Sequence, residues 1–470
     1  QVARWIRLGE PQVRPDDSTF GLIGTGGKRW AWYGIGQSLL LAPFDFIVST
    51  AAAPALDRFR LTPEKREQAV ELLIAFLMQS FLAAGSLAQA YEILILLGFT
   101  AAAGMAGTLA LLCATTWLAY LQSAQENSLL LLTALLALYG ILRCRETGGA
   151  RWAALAGAAC GMAILTRLPS LLETGVFFVA ALFLGCHRRQ FCKGYLPPVL
   201  ASLLADRWYQ WYRFGDPFST YMRPYGQQLR QPGDPASFPF SYPFWKGFLA
   251  TLFSPDKSIF LFDPLLLLLI AVVAWKWREI HRPVRIVLLA LAAWLLAYIA
   301  LYARYYDFGG DVAWGHRFVV VPVELLALFS VPLLISSALP RPARGAAWAL
   351  VCVSLVVQAS STTLAPNVEV AQRGAGSHAG VLVNRFLNLA ELAARGAHSP
   401  RFAGLPAAWR TLYYLPFQLR FRFPQLASWA IAGWLALLIA LPFAALGALR
   451  MPGRQTGPPQ PHRDAGRPME

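Results

Sequence analysis

Charge is what this chain has least of. Charged residues fill 14% of its 470 positions, against roughly 25% in ordinary soluble domains. Hydrophobic residues fill 56%, and mean hydropathy is +0.46. So few charges cannot coat a soluble surface, which excludes the soluble and disordered classes and leaves an integral membrane protein. Cysteine is scarce as well. Of the six, Cys113, Cys160 and Cys352 fall inside apolar runs, and Cys144, Cys186 and Cys192 fall at the ends of such runs. None sits in a long loop, so a disulfide framework is excluded. The spacing of Cys186, His187 and Cys192 fits no zinc pattern and reads as part of a basic loop. The early G-T-G-G-K (24–28) is not followed by Ser or Thr and follows no predicted strand, which excludes a phosphate-cradling P-loop. Acidic residues number 25 against 41 Lys and Arg, for a net charge of +16. In so apolar a chain that excess suits membrane orientation or anionic lipid headgroups, and makes nucleic acid the poorest partner. The chain opens at Gln1 without a basic stretch leading into an apolar one, so no signal peptide is visible. A further span is expected to precede it.

Apolar runs are what the sequence has in abundance. A span needs about 20 apolar residues. Runs of that kind lie near 67–88, 98–117, 128–143, 152–168, 170–186, 195–210, 258–275, 284–303, 317–338, 346–364 and 426–449. The expected fold is an all-α integral membrane protein, a polytopic helical bundle of about 11 visible spans with interfacial helices in the outer loops. Arginines and lysines fill the short connections at 143–151, 188–193, 276–285 and 341–344, and the tail from Arg450. With this span count all five fall on one side, which the positive-inside rule makes cytoplasmic. Residues 1–66, 118–127, 208–257, 304–316 and 365–425 then face outward. The run Gly34–Ala53 is interrupted by Pro43 and Asp45 and is expected to be a helix at the outer interface. The expected organisation is one transmembrane domain over 1–450, with a first outer loop at 1–66, a long outer loop at 365–425 and a disordered cytoplasmic tail at 451–470.

Chemistry concentrates in four outward stretches. They are G-K-R-W-A-W-Y-G-I-G-Q-S from Gly27, Y-R-F-G-D-P-F from Tyr212, S-P-D-K-S-I-F-L-F-D-P from Ser254, and F-G-G-D-V-A-W-G-H-R-F from Phe308. Each mixes glycine or proline, aromatics and a few charges at the mouth of a span. Irregular backbone at that depth survives only buried in protein or lining a wet cavity. Lys257, Arg317, His316 and Arg304 are candidates to hold a phosphate, with arginine the better bidentate donor. Glu126, Asp307 and Asp311 are candidates for a base or for holding a divalent cation. Tyr33, Gln37 and Asp216 stand beside them in the same stretches. Glu71, Glu173, Asp206, Arg207 and Glu324 fall within or beside spans, where ionisable groups are expensive. Glu324 follows Arg317 by seven residues, two helical turns, so one helix face can hold both, either as a structural ion pair or as part of a functional site.

Taken in order along the chain, these stretches resemble a family. W-Y-G-I-G-Q-S-L-L-L-A-P-F (32–44), A-Q-E-N-S-L-L-L-L (124–132), G-M-A-I-L-T-R-L-P-S-L-L (161–172), Y-R-F-G-D-P-F (212–218), S-P-D-K-S-I-F-L-F-D-P (254–264) and G-G-D-V-A-W-G-H-R-F (309–318) are similar to segments of the GT-C superfamily. These are bacterial polyprenyl-phosphate-dependent glycosyltransferases, relatives of protein O-mannosyltransferases and of the lipid A aminoarabinose transferase. The resemblance implies a multi-pass protein of the bacterial inner membrane. It implies transfer of a sugar from a polyprenyl phosphate, on the outer face, to a glycan, lipid or protein acceptor. It implies an essential acidic residue early in the first outer loop, where Asp16 and Asp17 are the only early pair, and a second at Glu126. His316 stands where relatives often carry proline. No nucleotide cofactor is implied, and a divalent cation stays optional.

Two other classes stay open. A transporter or flippase would use the membrane-embedded charges as a path, although no paired internal repeat is visible. A non-catalytic envelope scaffold is the third.

Overall fold

The computed structural model describes residues 2–9, 11–13, 20–52, 61–123, 125–310, 313–365, 367–374 and 380–410, with isolated positions at Leu56, Arg58, Ser428, Trp429 and Ala432. Residues 1–414 form one compact unit and 415–470 another. Apart from those isolated positions, the expected span at 426–449 and the expected tail lie outside the described residues.

The first unit is helical, with one two-residue antiparallel ribbon, β1 (Leu22–Ile23) against β2 (Arg29–Trp30). Its first half comprises α1 (Val2–Leu8), α2 (Gly36–Ile47), α3 (Pro63–Leu96), α4 (Ala101–Cys113), α5 (Trp117–Tyr120), α6 (Asn127–Thr147), α7 (Ala150–Thr166), α8 (Ser170–Phe183) and α9 (Arg188–Phe214). The second comprises α10 (Met222–Leu229), α11 (Phe244–Phe253), α12 (Ile259–Phe262), α13 (Leu265–Lys276), α14 (Arg282–Tyr302), α15 (Val320–Leu328), α16 (Ser330–Ser336), α17 (Arg341–Thr363), α18 (Asn367–Gly374) and α19 (Val381–Arg395). Among the described residues four helices, α3, α6, α14 and α17, are long and apolar enough to cross a membrane. Five shorter apolar helical segments accompany them.

Local chemistry sets the boundaries. Thr62 and Thr100 cap α3 and α4 through their hydroxyls, which accept from Lys65 N at 3.4 Å and Ala103 N at 3.3 Å. Such caps satisfy amides that a first turn leaves orphaned. Arg167 leaves the helical region just before Leu168-Pro169, where proline disfavours continuation. The expected span at 317–338 is instead a turn over 317–319 followed by two short helices that meet at Phe329. Pro332 lacks the amide that would bond the Leu328 carbonyl, so the ladder cannot run through. The expected span at 258–275 likewise breaks at Asp263, whose carboxylate accepts from Thr116 N at 2.8 Å and Thr116 Oγ1 at 3.0 Å.

Small residues let the helices close. A Cβ on Gly157 of α7 would lie 2.2 Å from Tyr195 O of α9, and one on Gly161 would lie 2.2 Å from Ser202 Oγ. This G-x-x-x-G face replaces side-chain bulk by backbone contact, a device of helix pairs in membranes. The core around them is continuous and holds Trp117, Phe177, Trp294 and Phe329, all at 1% exposure or less.

The turns sort to two ends. The start of α6, the end of α7 and the approach to α15 meet at one end, joined by Glu126, Arg167 and Arg317. The basic segments at 143–151, 188–193, 276–285 and 341–344, connections or first helical turns, lie at the far ends of the helices that reach this polar end. The start of α2 belongs to the polar end too, because Gly34 and Gly36 lie against Leu165 O and the Thr166 backbone.

Candidate functional site

Glu126 precedes the first turn of α6, is 4% exposed, and lies between two guanidinium groups. Arg167 Nη2, at the end of α7, pairs with its Oε1. Arg317 Nη2 lies 3.2 Å from Oε1 and 3.1 Å from Oε2. Burial alone would push the Glu126 carboxyl up, but Arg167 and then Arg317 draw it down to about 2. The carboxylate therefore stays ionised, and the trio carries a net positive charge. Rings close around it. The Arg167 guanidinium lies 5.4 Å from the Phe318 ring centre, and Phe318 stacks on Tyr302 at 4.3 Å. Arg317 lies 5.9 Å from the centre of Tyr33.

The double glycine at 309–310 makes room for two cations. A Cβ on Gly309 would lie 2.6 Å from Lys257 Cγ, and one on Gly310 would lie 2.7 Å from Arg317 Cβ. Gly310 also has φ +76°, open to glycine at little cost. Lys257 Nζ donates to Ala313 O at 2.8 Å and Gly315 O at 3.1 Å, so the ammonium pins the loop from inside. The four stretches converge as a linked series. Arg213 Nη1 donates to Ala31 O and to Tyr33 O at 2.9 Å, which joins the second stretch to the first. Tyr33 meets Arg317, which joins the first to the fourth, and Lys257 joins the third to the fourth.

Not every expected residue takes part as foreseen. His316 is 3% exposed, and neither ring nitrogen has a hydrogen-bond partner among the described residues. Burial, and then the charge of Lys257, push its imidazole down to about 3, so it is neutral and supplies no cation for a phosphate. Arg304 is exposed, and its backbone oxygen accepts from Tyr242 N at 2.9 Å. Asp307 is half-buried and its carbonyl accepts from Gly310 N at 3.0 Å. Asp216 closes its own loop, accepting from Phe218 N at 2.9 Å and pairing with Arg223 at 3.3 Å. Gln37 sits half-buried in the first turn of α2. Asp16, Asp17 and Asp311 lie outside the described residues. Among the described residues no group of three or more His, Cys, Asp or Glu forms a metal-type cluster.

An Arg317–Glu324 pair does not form. Residues 317–319 are a turn rather than helix, so the seven-residue register does not apply and Arg317 reaches Glu126 instead. Glu324 is fully buried inside α15. Glu173, at 2% exposure, accepts from Tyr298 at 3.4 Å. Asp206 pairs with its neighbour Arg207, and Glu71 is exposed on α3.

Arg167 is the site residue that the candidate set lacks. Its signal was present in L-T-R-L-P, an arginine at the end of an apolar run just before proline, and nothing else in the sequence pointed it toward Glu126.

Compared with known proteins, the chain matches no protein-family profile, no curated protein and no solved structure.

Proposed function

We propose that this chain is a multi-pass membrane glycosyltransferase that moves a sugar from a polyprenyl-phosphate donor to an envelope acceptor on the outer face of a bacterial inner membrane. The observation that carries the reading is the buried Glu126 carboxylate shared by Arg167 and Arg317, with Lys257 behind the loop that holds Arg317. Two guanidinium groups for one carboxylate leave a surplus of positive charge beside a mouth of aromatic and glycine-rich segments. An anion fits that surplus. Phosphate matches the planar fork of arginine.

In this reading the bond between the anomeric carbon and the phosphate oxygen breaks, and charge builds on the departing phosphate. Arg317 and Arg167 stabilise that charge, and Lys257 holds the loop in place for it. An acceptor hydroxyl or amine attacks the anomeric carbon and gives up its proton. Glu126 is too weak a base while both arginines hold it near 2. A phosphate that takes over their donors releases the carboxylate, which then rises toward its ordinary value and can accept the proton. The donor thus arms the base.

The test is transfer itself. Purified protein is incubated with polyprenyl-phosphate sugars and candidate glycan, lipid and protein acceptors, and products are identified by mass spectrometry. Glycosylated product from the wild type and none from Arg317→Ala supports the reading. Equal product from both overturns it.

A transporter or flippase is the second reading, favoured by the fully buried carboxyl of Glu324 and by Glu173 inside α8. Ionisable groups at such positions mark substrate or proton paths in many membrane proteins. Sugar flux into sealed vesicles without product formation would decide for it.

A further inference from the structure

Helix α19 is built inside out. Asn384, Arg385 and Asn388 are 1%, 0% and 0% exposed, while Val383, Phe386 and Leu387 are 55%, 38% and 45% exposed. At 3.6 residues per turn, positions 383, 386, 387, 390 and 394 share one face, and they read Val, Phe, Leu, Ala, Ala. A surface helix in water shows the reverse arrangement.

The inward polar groups are fully engaged. Arg385 holds Glu369 through two nitrogens, each at 2.7 Å, with side chains 0% and 1% exposed. Its Nη1 also donates to Ser360 O at 3.1 Å, Ser361 O at 3.3 Å and Leu364 O at 2.9 Å. Those are carbonyls at the end of α17, which water would serve in a soluble protein. Asn388 donates to Glu369 at 3.0 Å, and Arg401 donates to Asn388 at 2.6 Å and Asn384 at 2.7 Å. Satisfying backbone ends internally is what a hydrocarbon surrounding demands.

The neighbouring surface has the same character. α17, which α19 caps, is one of the four span-type helices. Its own exposed side is apolar, with Trp348, Val353, Leu355 and Val356 at 43%, 50%, 39% and 55%. α19 seats on the end of that helix through Arg385, and its own outward side is apolar as well.

We propose that α19 is a lipid-embedded helix whose Val383–Phe386–Leu387 face lies among the acyl chains at the bilayer boundary. Interfacial helices bury an apolar face there and keep their polar face elsewhere; here the polar face binds protein instead of water. The assignment matters for the site because α19 grips both of its loops. Val381 N donates to Asp256 Oδ1 at 3.0 Å beside Lys257, and the Arg385 guanidinium lies 5.1 Å from the Trp314 ring centre beside Arg317. Lipid contact at α19 therefore fixes the depth of the candidate site. The proposal is independent of whether that site transfers sugar.

An environment-sensitive fluorophore at Leu387→Cys, and separately at Val383→Cys, tests it, with Cys113, Cys192 and Cys352 replaced by serine. The exposed loop position Gln231→Cys is the aqueous control. The protein is reconstituted into phosphatidylcholine–phosphatidylglycerol vesicles, with and without brominated acyl chains. The expected result is blue-shifted emission at 383 and 387, quenched several-fold more by brominated chains than by aqueous iodide, and the opposite at 231. Iodide quenching at 387 equal to that at 231 would overturn the proposal. So would shielding from both quenchers, which would mean that protein covers this face.

Discussion

Two buried ion centres lie at the polar end of the bundle, and they are built on opposite plans. In the Arg385–Glu369 centre one cation meets one anion through two hydrogen bonds, and backbone carbonyls take up Arg385 Nη1. Every guanidinium nitrogen of Arg385 is engaged by described residues. In the Glu126 centre two arginines share one carboxylate. Among the described residues Arg317 Nε finds no partner there, and the neighbouring His316 is neutral with both nitrogens unpaired. Burying a charge pair is expensive and is repaid only by complete satisfaction. The first centre meets that condition and acts as a clamp. The second falls short of it in a single direction, with surplus positive charge, as a site waiting for an anion would.

The largest expected effect breaks the clamp. Arg385→Ala leaves Glu369 buried without its partner and should cost about 3–5 kcal/mol. Arg317→Ala leaves Glu126 still bonded to Arg167 and should cost clearly less. Thermal melting of both variants in detergent measures this, and equal losses would erase the distinction. Activity should separate the centres the other way. Arg317→Ala is expected to reduce sugar transfer by about 100-fold or more, the usual effect of losing one donor to a developing anion, while inserting into the membrane normally.

Acid should probe the open centre in two windows. His316 has its folded value lowered from 6.5 to about 3, so the unfolded chain takes up the proton first. Its contribution to stability is present above 6.5 and is lost as pH falls through the interval down to about 3. His316→Gln should flatten that part of a melting-temperature profile. Glu126 is lowered from 4.5 to about 2, so its contribution is present above 4.5 and is lost further down, toward pH 2. Glu126→Gln should remove only that lower slope. The smallest effect belongs to the glycine that seats Arg317. Gly310→Ala places a Cβ in a left-handed conformation, which costs about 1–2 kcal/mol, and 2.7 Å from Arg317 Cβ. It should lower transfer more than it lowers the melting temperature.

Much of this was legible in the sequence, for identifiable reasons. Helical content and the apolar runs follow from composition and length, so α3, α6, α14 and α17 fall where their runs lie. Glu126, Lys257 and Arg317 stand out because charge is rare in such a chain and theirs sits at the mouths of spans. The Glu126–Arg167 contact was not legible, since it joins the facing ends of two helices 41 residues apart and no periodicity records it. A shared face for Arg317 and Glu324 needs a helix through both, and the chain turns at 317–319 instead. The clamp was missed for a related reason. From sequence, 365–425 reads only as a long outer loop, and packing alone shows that Arg385, Glu369 and the asparagines face inward.

At the heart of the proposed mechanism, phosphate takes the arginines that Glu126 now holds. The direct measurement is the affinity of reconstituted protein for polyprenyl phosphate, compared across wild type, Arg317→Ala and Glu126→Gln. Weaker binding is expected for Arg317→Ala and tighter binding for Glu126→Gln, because the resident carboxylate competes with the ligand. Unchanged binding in Arg317→Ala, or weaker binding in Glu126→Gln, would refute the exchange.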